Sequence, residues 1–111
     1  MFFVYILQSE KSGKFYIGHT NDLGRRLSEH NNPTRNKYSS KYIPWRLVFS
    51  FEVSVNRGDA IRIERFLKRQ KSTDFITKII NQRDNPDNFK TLIKNVLGQS
   101  GPEDSGLIRR S

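Results

Sequence analysis

The segment Phe2-Phe3-Val4-Tyr5-Ile6-Leu7 sets the first constraint, because it is a continuous run of aromatic, β-branched and aliphatic residues with no charge in it. A run this short and of this composition favours a strand over a helix, and its lack of alternation means a strand buried on both faces. The polar cluster Ser9 to Lys14, with Gly13 in it, turns the chain into a second strand, Phe15-Tyr16-Ile17-Gly18, and the two make an antiparallel hairpin. Trp45 to Val53 alternates, with Leu47, Phe49, Phe51 and Val53 on one side and Arg46, Ser50 and Glu52 on the other. That is the period of a half-buried third strand.

Helical patterns fill the rest. Asn21 or Asp22 caps a helix over Leu23 to His30, and Asn31-Asn32-Pro33 stops it. Gly58 and Asp59 introduce a helix to about Gln70, with Asp59 as its N-cap. Ser72 caps another carrying Phe75, Ile76, Ile79 and Ile80, and a last pattern, Phe89, Leu92, Ile93, Val96 and Leu97, ends at Gly98. The order β-β-α-β-α-α-α implies an α+β fold, a small three-stranded antiparallel sheet flanked by helices. Residues 1–97 are expected to form one domain and residues 98–111, with Gly, Ser, Pro and balanced charge, a disordered tail.

Charge points to the partner. With 20 Lys and Arg against 11 Asp and Glu in 111 residues, the chain carries +9 and has a pI near 10.2, so it attracts polyanions, nucleic acid first. No apolar run approaches the roughly 20 residues that cross a bilayer, which argues against a membrane. The absence of Cys excludes disulfides, a thiolate zinc site and a cysteine nucleophile, and suits a cytoplasmic setting. Between Pro33 and Pro44 the cations Arg35, Lys37 and Lys41 interleave with Tyr38 and Tyr42, followed by Trp45 and Arg46. These aromatics either stack on unpaired bases beside phosphate-bound cations or anchor the loop to the core. From Arg57 to Lys71 six cations, among them Arg65, Lys68 and Lys71, face two carboxylates, and this stretch reads as a substrate track.

Polar residues break the apolar pattern at three places. Leu23, Leu27, Arg26 and His30 share one helical face, and Arg26 and His30, four residues apart, can converge on a single anion. Glu64 borders the apolar stripe of Ala60, Ile63 and Leu67, where a carboxylate needs a cation or a reason. Singly, each has a plainer reading: Arg26 as a solvated cation, His30 as a histidine near a helix end, Glu64 as the i+4 partner of Lys68. Tyr5 and Tyr16, taken alone, read as core aromatics.

Taken together, Val4-Tyr5-Ile6, Tyr16-Ile17-Gly18, Asp22-Leu23-Gly24-Arg25-Arg26-Leu27, Glu29-His30-Asn31 and Glu64 resemble the GIY-YIG endonuclease domain over roughly residues 2 to 80. The likeness extends to the catalytic domains of the bacterial excision-repair nuclease and of homing endonucleases. Val4 stands where the family has glycine, and His19 where repair-type members often have lysine. The resemblance implies a metal-dependent endonuclease acting on DNA, with Mg²⁺ or Mn²⁺ held by Glu64 in a one-metal arrangement. Arg26 would grip the scissile phosphate, Tyr5 or Tyr16 would orient or deprotonate the attacking water, and His30 would assist the proton transfer or contact the phosphate. Gly18 would allow close approach of backbone or DNA. His19, Arg35, Lys37, Lys41, Arg46, Arg65, Lys68 and Lys71 would contact the nucleic acid, with a protein partner supplying targeting in repair or recombination. The competing expectations are a non-catalytic nucleic-acid-binding module on the same fold and an RNA-directed protein.

Overall fold

The computed structural model describes residues 1–35, 40–70 and 72–98. The expectations for Lys37, Tyr38, Lys71 and the tail beyond Gly98 lie outside the described residues. Among the described residues there are three strands and four helices: β1 (Phe2–Ser9), β2 (Phe15–Thr20), α1 (Leu23–His30), β3 (Trp45–Ser54), α2 (Arg57–Arg69), α3 (Thr73–Asn81) and α4 (Pro86–Gly98). They divide into two compact units, one of Met1–Ala60 and a second beginning at Ile61.

In the first unit the sheet order is β2-β1-β3, and both pairings are antiparallel. The unbroken apolar run therefore occupies the central strand, where Val4, Tyr5, Ile6 and Leu7 are all buried. Tyr5 lies opposite Gly18 on one side and Ser50 on the other, and Leu7 opposite Tyr16. Tyr5, Leu7 and Trp45 form the buried cluster against which Leu23 and Leu27 of α1 pack, together with Tyr16, Tyr42 and Ile43. Asp22 caps α1 by accepting a hydrogen bond from the Arg25 amide.

Two local expectations need correction. The alternation of β3 is interrupted: Ile6 pairs with Phe49 but Leu7 with Leu47, so Val48 is an extra residue on β3, and Leu47 is 36% exposed instead of facing the core. The cap of α2 is Asn56, whose side-chain oxygen accepts from the Gly58 amide at 2.7 Å. Asp59 lies inside the first turn, where it accepts from the Ser54 hydroxyl at 2.9 Å. A carboxylate there also meets the positive end of the helix.

Asn31, at the end of α1, holds the start of β3. Its side-chain amide donates to the Trp45 carbonyl at 3.0 Å and its side-chain oxygen accepts from the Trp45 amide at 2.6 Å. The β1–β2 turn is fixed by the Ser9 hydroxyl, which donates to the Tyr42 carbonyl at 2.6 Å and accepts from the Lys11 and Ser12 amides. Trp45 is buried and Tyr42 half-buried against the core, so both serve as anchors in this structure; the Lys14 ammonium lies 4.8 Å above the Tyr42 ring.

The second unit buries Ile63 and Leu67 of α2, Ile76 and Ile79 of α3, and Phe89 and Ile93 of α4. Ser72 caps α3 by accepting from the Phe75 amide. Pro86 opens α4, a position where a missing N–H costs nothing, so that helix begins ahead of its first buried residue, Phe89. No described helix is long and apolar enough to cross a membrane.

Candidate active site

On the α1 face of the sheet, four residues read from the sequence meet: Tyr5, Tyr16, Arg26 and His30. The Tyr5 hydroxyl lies 3.1 Å from His30 Nε2 and accepts a hydrogen bond from Arg26 Nε at 3.3 Å. The Tyr16 ring is stacked on Tyr5 at 6.4 Å and meets His30 edge-on at 4.5 Å, while Trp45 closes the far side of Tyr16 at 6.0 Å. The arrangement follows from register and period. Tyr5 sits on the central strand and Tyr16 two residues before its partner Gly18, while Arg26 and His30 are one helical turn apart on α1.

Gly18 explains how the phenol fits. A Cβ at that position would lie 2.5 Å from the Tyr5 hydroxyl oxygen and 2.7 Å from the ring carbon bearing it. In this structure the close approach that Gly18 allows is that of the Tyr5 ring.

The electrostatics are set by burial and by Arg26. Burial and then the nearby Arg26 charge push the His30 pKa down to about 4, so near neutrality the ring is uncharged and can accept the Tyr5 hydroxyl proton at Nε2. Burial alone would weaken the Arg26 charge, but hydrogen bonds to Tyr5 and Glu29 outweigh it and hold the guanidinium protonated more firmly than usual. Arg26 Nη1 donates to Glu29 at 3.0 Å, and this bond, with the charges of Arg35 and Arg26, keeps the Glu29 carboxyl below its ordinary range. These contacts engage two of the five guanidinium N–H groups.

Beside this cluster opens a cleft of about 290 Å³ lined by His19, Thr20, Asn21, Arg25, Arg26, Glu29 and Arg57. His19 and Arg26 were expected near substrate; Arg25 and Arg57 join them. Arg57 also stacks over the Phe2 ring at 4.9 Å. Of the other expected contacts, Arg35 is exposed and pairs with Glu29 at 3.4 Å, and Lys41 and Arg46 are exposed on the segment leading into β3 and on its first turn of chain.

Comparison with known proteins matches residues 1–83 to the GIY-YIG catalytic domain. The chain belongs to the GIY-YIG family. It is 33% identical over 69 residues to a UPF0213 protein of Streptococcus pneumoniae, which covers 62% of this chain and 68% of that protein. It is 37% identical over 70 residues to the UPF0213 protein YsiG of Lactococcus lactis, covering 62% and 64% respectively. Against the UPF0213 protein CPE1444 of Clostridium perfringens it is 31% identical over 93 residues, 84% of this chain and 98% of that one. No solved structure matches. GIY-YIG domains are nuclease domains, and nucleic acid is the substrate class that membership implies.

Glu64 belongs to the second unit, on α2. Its Oε2 accepts from the Lys68 ammonium at 2.7 Å, an i,i+4 pair in which the Glu64 side chain is 16% exposed. Among the described residues no three His, Asp or Glu side chains cluster as a metal cage would require. A lone carboxylate fits a hard cation that keeps most of its coordination as water and phosphate oxygen, as Mg²⁺ does.

The residues missed from sequence are Arg25 and Asn31, while Arg57, expected in a substrate track along its own helix, lies in the cleft beside Arg26. Arg57 is a cation far along the chain from Arg26, and only the sheet brings it to the same cleft. Asn31 carries a side-chain amide directly after His30, and that signal is readable only once its partner at Trp45 is known.

Proposed function

We propose that this protein is a metal-dependent endonuclease hydrolysing phosphodiester bonds in DNA. The observation that carries the reading is the Tyr5 hydroxyl shared between a guanidinium and a neutral imidazole, at the edge of a cleft lined by Arg25, Arg26 and Arg57.

In this reading Arg26 binds the scissile phosphate through the N–H groups beyond those given to Tyr5 and Glu29, and its fork geometry matches two phosphate oxygens. Tyr5, with its own proton lost to solvent, takes the proton of the attacking water, and the uncharged His30 Nε2 fixes the direction of its hydroxyl. The adjacent guanidinium compensates negative charge as it develops on the phenol oxygen. Tyr16 holds the Tyr5 and His30 rings in place, stacked on the first and edge-on to the second. Glu64 would hold the divalent ion, Mg²⁺ or Mn²⁺, which supplies charge neutralisation at the phosphate when bound. Branched, nicked or flapped DNA in repair or recombination, a cytoplasmic location and a targeting partner complete the proposal.

The experiment is cleavage of labelled duplex, flap and branched DNA, with RNA in parallel, by wild type, Glu64→Ala and Arg26→Ala, in Mg²⁺, Mn²⁺ and EDTA. Metal-dependent cutting lost in both variants is the expected result. A second reading, a nucleic-acid-binding module without turnover, is favoured by one observation: Lys68 already neutralises the Glu64 carboxylate. Binding without cutting in either metal would select it.

A further inference from the structure

A second basic cleft lies wholly within the second unit. It has a volume of about 280 Å³ and is lined by Arg62, Arg65, Phe66, Arg69 and Val96. The three arginines fall at i, i+3 and i+7 along α2, on one face of that helix. Arg62 is fixed: its Nη2 donates to the carbonyls of Val96 and Leu97, both at 3.1 Å, at the C-terminal end of α4, where a cation is favoured. Arg65 and Arg69 are exposed, and neither pairs with a carboxylate among the described residues. Phe66 gives the cleft an apolar side, held by an edge-on contact with Phe75 at 6.3 Å.

Three like charges on one helix face repel one another, and no carboxylate among the described residues pairs with them there, whereas Lys68, on another face of the same helix, is neutralised by Glu64. Guanidinium groups converging on a concave surface match phosphate, which accepts paired N–H donors. We propose that the Arg62–Arg65–Arg69 cleft is a phosphate-binding site for the nucleic-acid backbone, supplying affinity and no chemistry. The inference rests on nucleic acid being the partner, as in the preceding section. It also sorts the basic residues of α2: Arg65 and Arg69 belong to the cleft, while Lys68 belongs to the Glu64 pair.

The test is equilibrium binding of a labelled DNA duplex in EDTA, so that cleavage plays no part, across a series of salt concentrations. Arg65→Gln/Arg69→Gln is compared with Lys78→Gln/Lys90→Gln, which removes the same charge from exposed positions elsewhere in the unit, and thermal melting confirms that both fold. The expected result is an affinity about tenfold lower for the arginine variant alone, with the log–log salt slope smaller by about 1 to 2, as the loss of two phosphate contacts requires. An equal loss in the lysine variant would reduce the effect to overall charge and overturn the proposal. Unchanged DNA affinity in the arginine variant, with inorganic phosphate still protecting wild type against thermal unfolding, would assign the cleft to small phosphates and overturn it as well. Failure of the nuclease reading would show separately, as absent cutting by a protein whose binding still responds to these two arginines.

Discussion

Lowering the pH should destabilise this protein through His30, and the size of the effect follows from the burial of the ring. His30 is 1% exposed, and its folded-state pKa is pushed down to about 4 from an ordinary 6.5. As pH falls through that window the unfolded chain takes up a proton that the folded chain refuses, so stability falls with it. The loss begins near pH 6.5, reaches about 2 kcal/mol at pH 5 and levels off at about 3 kcal/mol below pH 4. For a chain of this size, the pH 5 value corresponds to a fall of roughly 10 °C in melting temperature. Glu29, held low by Arg26, contributes its own loss only further into acid, so the two are separable. Denaturant unfolding at pH 7.5, 6, 5 and 4 measures the effect, with His30→Gln as a baseline that lacks the titrating ring. Parallel loss of stability in wild type and His30→Gln between pH 7 and 5 would refute the reasoning, as would an NMR titration of His30 centred near 6.5.

Three further outcomes are expected. Gly18→Ala places a methyl 2.5 Å from the Tyr5 hydroxyl, so the ring must shift; stability should fall by about 1–3 kcal/mol and nuclease activity with it, as melting and a cleavage assay would show. Asn31→Ala removes both hydrogen bonds to the Trp45 backbone and should cost about 2 kcal/mol in denaturant unfolding. Arg26→Lys keeps the charge but loses the fork and the Nε–H that reaches Tyr5; cleavage should fall at least about tenfold while melting moves by only a few degrees.

The strands, and the pairing of Arg26 with His30, were legible because each depends on spacing within one element or between neighbouring strands of a hairpin, whereas Tyr5 and Tyr16 joined them only through the family resemblance. An uninterrupted apolar run has one place to go in a small sheet, its centre, and β1 lies there. The i,i+4 relation of Arg26 and His30 is fixed by helical pitch before any tertiary contact forms. What could not be read depends on contacts across the fold. The extra residue at Val48 has no signature in an alternating strand, because every position of Trp45–Ser54 suits either face until the partner strand sets the register. Gly18 looks like a residue that admits substrate, and only the opposing position of Tyr5 shows what presses on it. Asn56 and Asp59 both cap well and lie three apart, so composition alone does not separate them.

The Asn31 amide acts as one rung of a β-ladder contributed by a side chain, closing the chain between α1 and β3 into a loop with fixed ends. The position of Trp45, and of the Tyr16 ring it meets, is therefore tied directly to the end of α1. Lengthening such a loop costs entropy only as the logarithm of its size, about 0.6 kcal/mol for each doubling. An insertion between these two fixed ends is accordingly expected to cost little stability and to leave Trp45 where it stands.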